Sequence, residues 1–338
     1  MIKIRLLESE IHRNETTFRP FVTAANLFRE VGIEFTKSND YDYAFVGQAS
    51  IIDKKVSLEE SVDKGLKFLE KVTGEYIIID GQDSHSLIGT ADVLRQSNAV
   101  LMLKNVMLAD KELYKEGTAN GRYYWGQGFY WVPDLDELLP RIKLSGCNWL
   151  STVMPNWLQY GPDKEFDISC MFGYPTPEKV FEHELCQTDF YDEHRRTLMR
   201  TLGDKYKIAK LINGERVSLD EYYYKMYNSK IIMAPLGYGA MAPRDLESSM
   251  FGSVLIKPKI DFLESLPNIY KHKETYIGVE YDWSDLIEKI DELLSDYKRL
   301  QQFYVENMRK SYKEQYQPEH FVTHIYNIFK ELDGVVNE

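Results

Sequence analysis

The sequence predicts an α/β protein made of two Rossmann-like domains that face a cleft, with helices at the carboxyl end. Three observations carry this. Short runs that are apolar at every position recur in both halves, at 43–46, 76–79, 99–103 and 231–234. Such runs belong to parallel strands covered by helices on both faces, because an open sheet would alternate apolar and polar residues. Helical patterns separate the runs, and 338 residues suffice for two domains of ordinary size. The division expected is 1–160 and 161–338, the second carrying the helical tail.

In chain order, residues 2–7 read as a strand. Residues 20–31 read as an amphipathic helix through Phe21, Ala24, Ala25, Leu27 and Phe28, and 43–46 as a short buried strand. A strong helix is expected over 58–72, where Val62, Leu66, Leu69 and Val72 share a face and Ser57 with Glu60 forms a capping box. Strands are expected next at 76–79 and 99–103. The stretch 120–163 is rich in aromatics, Gly and Pro, and includes Tyr123, Tyr124, Trp125, Phe129, Tyr130 and Trp131. It reads as a crossover, its rings either packing an interdomain seam or walling an acceptor site. The second alternation runs as strand 166–172, helix 192–202, strand 205–211, helix 219–227, strand 231–235, a short helix from 243, and strands 253–258 and 276–279. Helices at 283–294, 297–312 and 318–332 close the chain.

Composition narrows the function classes. Hydrophobic residues make up 43% and charged residues 28%, as in soluble globular proteins. A formal charge of −12 argues against general affinity for a nucleic acid backbone. Cys147, Cys170 and Cys186 lack metal-ligand spacing, and their odd number fits free thiols in a reducing compartment. No signal peptide, membrane span or basic amphipathic helix is read, so a cytoplasmic protein is expected. The seven His show no paired i, i+4 spacing around a carboxylate, and there is no P-loop or nucleophile elbow. No metal and no cofactor are expected. An NAD enzyme is disfavoured because no Gly-x-Gly-x-x-Gly follows the first strand.

The chemistry concentrates in 229–258. A strand leads into Leu236-Gly237-Tyr238-Gly239-Ala240, then a helix begins near Pro243 with Arg244 and Glu247, and Gly252 introduces a second strand. Gly237 and Gly239 lack Cβ, so the backbone there can approach an anion, and the helix adds the positive end of its dipole. Arg244 can donate two hydrogen bonds to a diphosphate. Glu247, one turn on, faces the same way and can accept from ribose hydroxyls. The plainer alternative is a surface Arg–Glu pair beside an ordinary turn.

This pattern resembles the nucleotide-sugar half of GT-B glycosyltransferases, most closely the exostosin-like branch and related bacterial and viral sugar transferases. Those families carry a strand, a Gly/Pro loop, Arg, two residues, Glu, small residues, Gly and a strand. The stretch from Asp167 to Gly173, together with His194-Arg195-Arg196, is similar to the first strand, loop and Arg-bearing helix of the same domain. Tyr276-Ile277-Gly278-Val279 and Asp282-Trp283-Ser284-Asp285 resemble the later strand and helix start of such enzymes. Leu236 stands where the family often has a basic residue, and Ser248 where it has Ala.

The resemblance implies a metal-independent transferase whose donor is a nucleoside-diphosphate sugar held by Gly173, Arg196, Gly237, Tyr238, Gly239, Arg244 and Glu247. It implies an acceptor hydroxyl, on a glycan or lipid-linked saccharide, in the first domain. A phage-type enzyme acting on hydroxymethylated DNA is an alternative, as is a non-catalytic nucleotide-sugar-binding module. At the end of strand 76–79, Asp83 or His85 is the expected general base, with helix capping as the plainer role. His12 and Arg13 after the first strand, and Lys104 and Asn105 after the strand at 99–103, are acceptor candidates. A solvated turn and a capped strand end are the respective alternatives.

Overall fold

The computed structural model describes residues 1–7, 16–53, 56–81, 85–116, 132, 134–146, 157–173, 182–183, 186–187, 189–211, 217–237 and 239–336. The expected aromatic run 123–131 and the site candidates His12, Arg13, Asp83 and Tyr238 lie outside them.

The first lobe contains β1 Ile2–Leu7, α1 Arg19–Thr23, α2 Ala25–Glu30, β2 Ile33–Thr36, β3 Tyr43–Gly47, α3 Leu58–Leu69, β4 Glu75–Asp80, α4 Thr90–Gln96 and β5 Leu101–Lys104. β6 Val106–Leu108, α5 Leu113–Glu116, α6 Leu135–Leu138 and β7 Ile142–Leu144 complete it. Six strands pair in the order β2-β1-β3-β4-β5-β7, every pair parallel. β3 is buried along its whole length and β4 in all but its first residue, as the continuous apolar runs require. The helix expected over 20–31 is two short helices separated at Ala24. Phe21 and Phe28, either side of that break, enter one aromatic cluster with Phe45 and Phe321. Ser57 caps α3 as expected, its Oγ accepting from the Glu60 N–H at 3.3 Å.

The second lobe contains β8 Phe166–Cys170, the short antiparallel ladder of β9 Glu182–His183 and β10 Cys186–Gln187, α7 Asp189–Leu202, β11 Ile208–Lys210 and α8 Leu219–Tyr227. Beyond these come β12 Ser229–Met233, α9 Pro243–Met250, β13 Val254–Pro258, β14 Leu263–Ser265, β15 Ile277–Val279, α10 Leu286–Ser295, α11 Tyr297–Gln315 and α12 Pro318–Val336. Five strands pair in the order β11-β8-β12-β13-β15, again all parallel.

Two of the contacts between the lobes follow from the topology. β6 pairs antiparallel with β14, so the chain just beyond the carboxyl end of β5 meets the chain just beyond that of β13. The carboxyl edges of the two sheets are therefore tied together, which is where α/β sheets present ligands. The last helix crosses back: Phe321, Val322, Ile325, Ile328 and Phe329 of α12 pack with Ile4, Phe45, Ile77 and Leu103 of the first sheet. The tail assigned by sequence to 161–338 thus contributes to the core of the first lobe. No helix among the described residues is long and apolar enough to cross a membrane.

Candidate functional site

The second sheet reverses its winding between β8 and β12: β11 lies to one side of β8, and β12, β13 and β15 to the other. A crevice opens outside the carboxyl ends at such a switch point. Beyond β8 stand Phe172 and Gly173, and beyond β12 stands the glycine loop, so the topology brings both stretches singled out by sequence to one place.

Two guanidinium groups converge there. Arg244, at the start of α9, lies 5.7 Å from the centroid of the buried Phe172 ring, and Arg195, from α7, lies 5.9 Å from it. Arg195 donates to the Gly173 carbonyl. Its guanidinium reaches Gly237 so closely that a Cβ there would stand 3.1 Å from Nη2, so this position suits glycine. Arg244 forms no ion pair among the described residues, and its Nε is buried without a hydrogen-bond partner. Two like charges beside a helix amino terminus are an arrangement able to hold an anion.

Arg196 faces elsewhere. Its guanidinium pairs with Glu193 at 3.4 Å on its own helix. The arginine of α7 that stands beside Phe172 and Gly237 is Arg195, one position earlier. Leu236, just before the loop glycine, is buried in the core. The Gly237 N–H bonds to the Gly239 carbonyl at 3.2 Å, so that donor closes the loop rather than pointing at a ligand.

α7 is fixed by a stack of rings. His194 lies between Tyr281, at 4.5 Å, and Trp283, at 4.6 Å, and the Trp283 Nε1 donates to the His194 carbonyl at 3.1 Å. Glu247, half-buried, accepts from the Tyr222 hydroxyl at 2.6 Å. Burial raises its pKa, opposed by that hydrogen bond and by Arg244, while Asp245 adds to the rise. Burial pushes the Cys170 thiol up to about 12 against the pull of Arg244 and Lys210, so no thiolate is at hand.

Beneath the loop lies a group that sequence reasoning missed. Lys257 and Asp245 are fully buried and pair at 2.5 Å. Lys257 also donates to the Ala240 carbonyl at 2.6 Å and lies 4.6 Å over the Tyr270 ring. The same Asp245 oxygen accepts from the Ala242 N–H at 3.1 Å and the Tyr270 hydroxyl at 2.9 Å. These contacts pin the loop from below. The signal was a lysine inside the apolar run Val254-Leu255-Ile256-Lys257, because a buried charge demands a partner.

The first lobe corrects three expectations. Lys104 is wholly buried and paired with Asp80, its register neighbour, at 3.1 Å. Thr90 donates to the same Asp80 oxygen at 3.0 Å. Asn105 is buried and accepts from the Ser145 hydroxyl at 2.6 Å. Neither Lys104 nor Asn105 is open to an acceptor; both belong to a polar layer closed under the strand ends. His85 is 3% exposed and packs against Phe262 of the second lobe, its carbonyl accepting from the Tyr114 hydroxyl at 2.7 Å. Burial, aided by the charge of Lys104, pushes its pKa down to about 3, so it is enclosed and a weak base. The first sheet has its own switch point between β1 and β3. Gln48 follows β3 there, buried, with its Nε2 lacking a partner. No group of three or more potential metal ligands occurs among the described residues.

His194, like His85, is held down to about 3, mainly by burial and then by Arg195. An unfolded His titrates near 6.5, so between about 6.5 and 3 the unfolded chain binds protons that these two folded residues refuse. The contribution of these two residues to stability should therefore be full above pH 6.5 and fall as pH drops, by about 1.4 kcal/mol per pH unit for each His. Melting curves from pH 7.5 to 5, above the carboxylate range, check this. His194→Phe should lessen the slope, and a flat wild-type profile would contradict the burial of both rings.

No protein-family model matches this chain, and no curated protein does. Solved structures do. Sucrose-phosphate synthase from Thermosynechococcus elongatus aligns over 99% of this chain and 100% of its own, with a TM-score of 0.51 and 12% identity. HepE from Anabaena in complex with UDP-glucose aligns over 98% and 100%, at a TM-score of 0.49 and 10% identity. An alpha-glucosyltransferase in complex with UDP aligns over 100% and 99%, at 0.47 and 14%. The fold is the two-domain α/β arrangement of GT-B glycosyltransferases, as the paired parallel sheets indicate.

Proposed function

We propose that this chain is a glycosyltransferase that moves a sugar from a nucleoside-diphosphate sugar to a hydroxyl acceptor, a glycan or lipid-linked saccharide. The observation that carries the reading is the pair of guanidiniums flanking Phe172 at the switch point, with Glu247 one helical turn beyond Arg244. In this reading Arg195, Arg244 and the amino end of α9 hold the diphosphate. As the glycosidic bond to phosphate breaks, charge gathers on the leaving diphosphate, and fixed cations there lower the barrier. Glu247 accepts from the ribose. Gly173, Gly237 and Gly239 line the approach, and Tyr238 is assigned to the donor from the sequence.

The acceptor enters from the switch point of the first sheet, where the Gln48 amide offers an unmet donor, and His12 and Arg13, which come after β1 in sequence, are assigned to it. With His85 enclosed, the proton of the attacking hydroxyl passes to Asp83 in an inverting reaction. The acidic balance of −12 favours a saccharide over a DNA acceptor.

Thermal-shift screening against uridine, guanosine, adenosine and cytidine diphosphate sugars tests the donor site. One of the four is expected to raise the melting temperature. Glu247→Ala should keep the fold and weaken donor binding by about 10- to 100-fold, the loss of a charge-assisted hydrogen bond. Stabilisation by none of them, or unchanged donor binding by the variant, would sink the assignment.

A further inference from the structure

Glu247 has two carboxylate oxygens, and the structure occupies one. Tyr222 donates to Oε2 at 2.6 Å, and no other hydrogen bond to this side chain occurs among the described residues. Arg244, one turn back, acts on it through charge without forming an ion pair. Tyr222 is itself held. Its helix is capped by Ser218, whose Oγ accepts from the Glu221 N–H at 3.2 Å. Its ring packs against the main core and lies 5.7 Å from Tyr223, which in turn lies 5.4 Å from Phe251 after α9. A phenol anchored on one helix thus fixes a carboxylate on another.

A glutamate has three rotatable bonds, and a free one must be ordered when a ligand binds. A carboxylate already fixed through one oxygen presents the other at a constant place, and that oxygen can only accept. It therefore matches a ligand hydroxyl and repels a ligand phosphate.

We infer that Tyr222 is a positioning residue for ribose recognition: by holding Oε2 of Glu247 it presents Oε1 to a ribose hydroxyl and makes the site select ribonucleotides over 2′-deoxyribonucleotides. This rests on the donor-site reading above. The hydrogen bond also keeps Glu247 ionised against its burial. The charged or titratable groups acting on Glu247 are Tyr222 from α8 and Arg244 and Asp245 from its own helix. Burial and Asp245 favour the neutral acid, whereas Tyr222 and Arg244 favour the carboxylate. Removing the Tyr222 hydroxyl leaves Arg244 alone on the ionising side.

Titration calorimetry on the full chain tests this, using the uridine, guanosine, adenosine or cytidine diphosphate that the wild type binds most tightly, together with its 2′-deoxy form. Tyr222→Phe keeps the ring and its packing. It should weaken binding of the ribonucleotide about tenfold and change binding of the 2′-deoxy form little. The loss of affinity on acidification should begin at higher pH than in the wild type. In a Glu247→Gln background the same change should cost nothing further. Equal affinity of Tyr222→Phe and the wild type would overturn the inference. So would an equal loss for both nucleotides that persists with Glu247→Gln, since that is what a merely structural tyrosine gives. If the wild type binds none of the four diphosphates, the donor-site reading falls as well, so the two failures are told apart.

Discussion

Replacing Asp245 with Ala should destabilise the protein by about 3–5 kcal/mol, the effect of breaking a buried ion pair from one side. Lys257 and Asp245 have no solvent exposure and lie 2.5 Å apart. Without the carboxylate, the ammonium keeps only the Ala240 carbonyl and the face of Tyr270. Burial already lowers the pKa of Lys257 against the support of Asp245, so the lone amine would shed its proton rather than stay charged. The Ala242 N–H and the Tyr270 hydroxyl would lose their acceptor too. Urea unfolding gives the measurement. Asp245→Leu combined with Lys257→Met should restore most of the loss, because matched apolar residues remove both desolvation costs. Donor binding should stay impaired in that double variant, since nothing would then pin the glycine loop from below. A loss under about 1 kcal/mol for Asp245→Ala would mean that water reaches the pair.

The central strands β3, β4, β5 and β12 were legible because their apolar runs are continuous. β2 and β7, the two edge strands of the first sheet, escaped notice. β2 has four residues, Ile-Glu-Phe-Thr, with only Ile33 buried, and β7 has three with only Ile142 buried, so both lack the run that marks a covered strand. Arg244 and Glu247 could be read from spacing, since residues one turn apart on a helix share a side. Choosing between Arg195 and Arg196 needed the phase of α7. Leu198 and Leu202 are buried, and Arg195 lies three and seven positions before them, on the same stripe. That pattern was present in the sequence and favoured Arg195. The Asp245–Lys257 pair was only half legible: the lysine announced a buried charge, but its partner came from a helix start that local periodicity does not place against it. Lys104 carried the same signal, and its partner Asp80 is its neighbour in the parallel register, a pairing that depends on strand order.

The second large effect is expected at Gly252, which ends the turn after α9. Its φ of +66° lies in the left-handed region, where a side chain costs about 1–2 kcal/mol. A Cβ there would also stand 2.1 Å from Cγ of Tyr160. That ring cannot easily yield. Arg309 lies 4.7 Å from its centroid, and its hydroxyl donates to Glu306 at 2.7 Å. Gln301 donates to the carbonyls of Gly161 and Gly252, tying the two crossing segments together. Overpacking adds about 1–3 kcal/mol, so Gly252→Ala should lose about 2–5 kcal/mol in all. Tyr160→Ala would not relieve the clash, because the Tyr160 Cβ itself would stand 2.3 Å from the added Cβ, whereas adding Tyr160→Gly removes it but not the backbone cost at Gly252. The steric part is then read from a double-mutant cycle between Gly252→Ala and Tyr160→Gly, where a coupling near zero would show that Tyr160 moves aside freely. The two residues are far apart in sequence, and Tyr160 stands at the edge of the crossover between the lobes. Gly252 is therefore small less for the sake of the strand it introduces than to let the crossover pass against the end of α9, the helix whose other end carries Arg244.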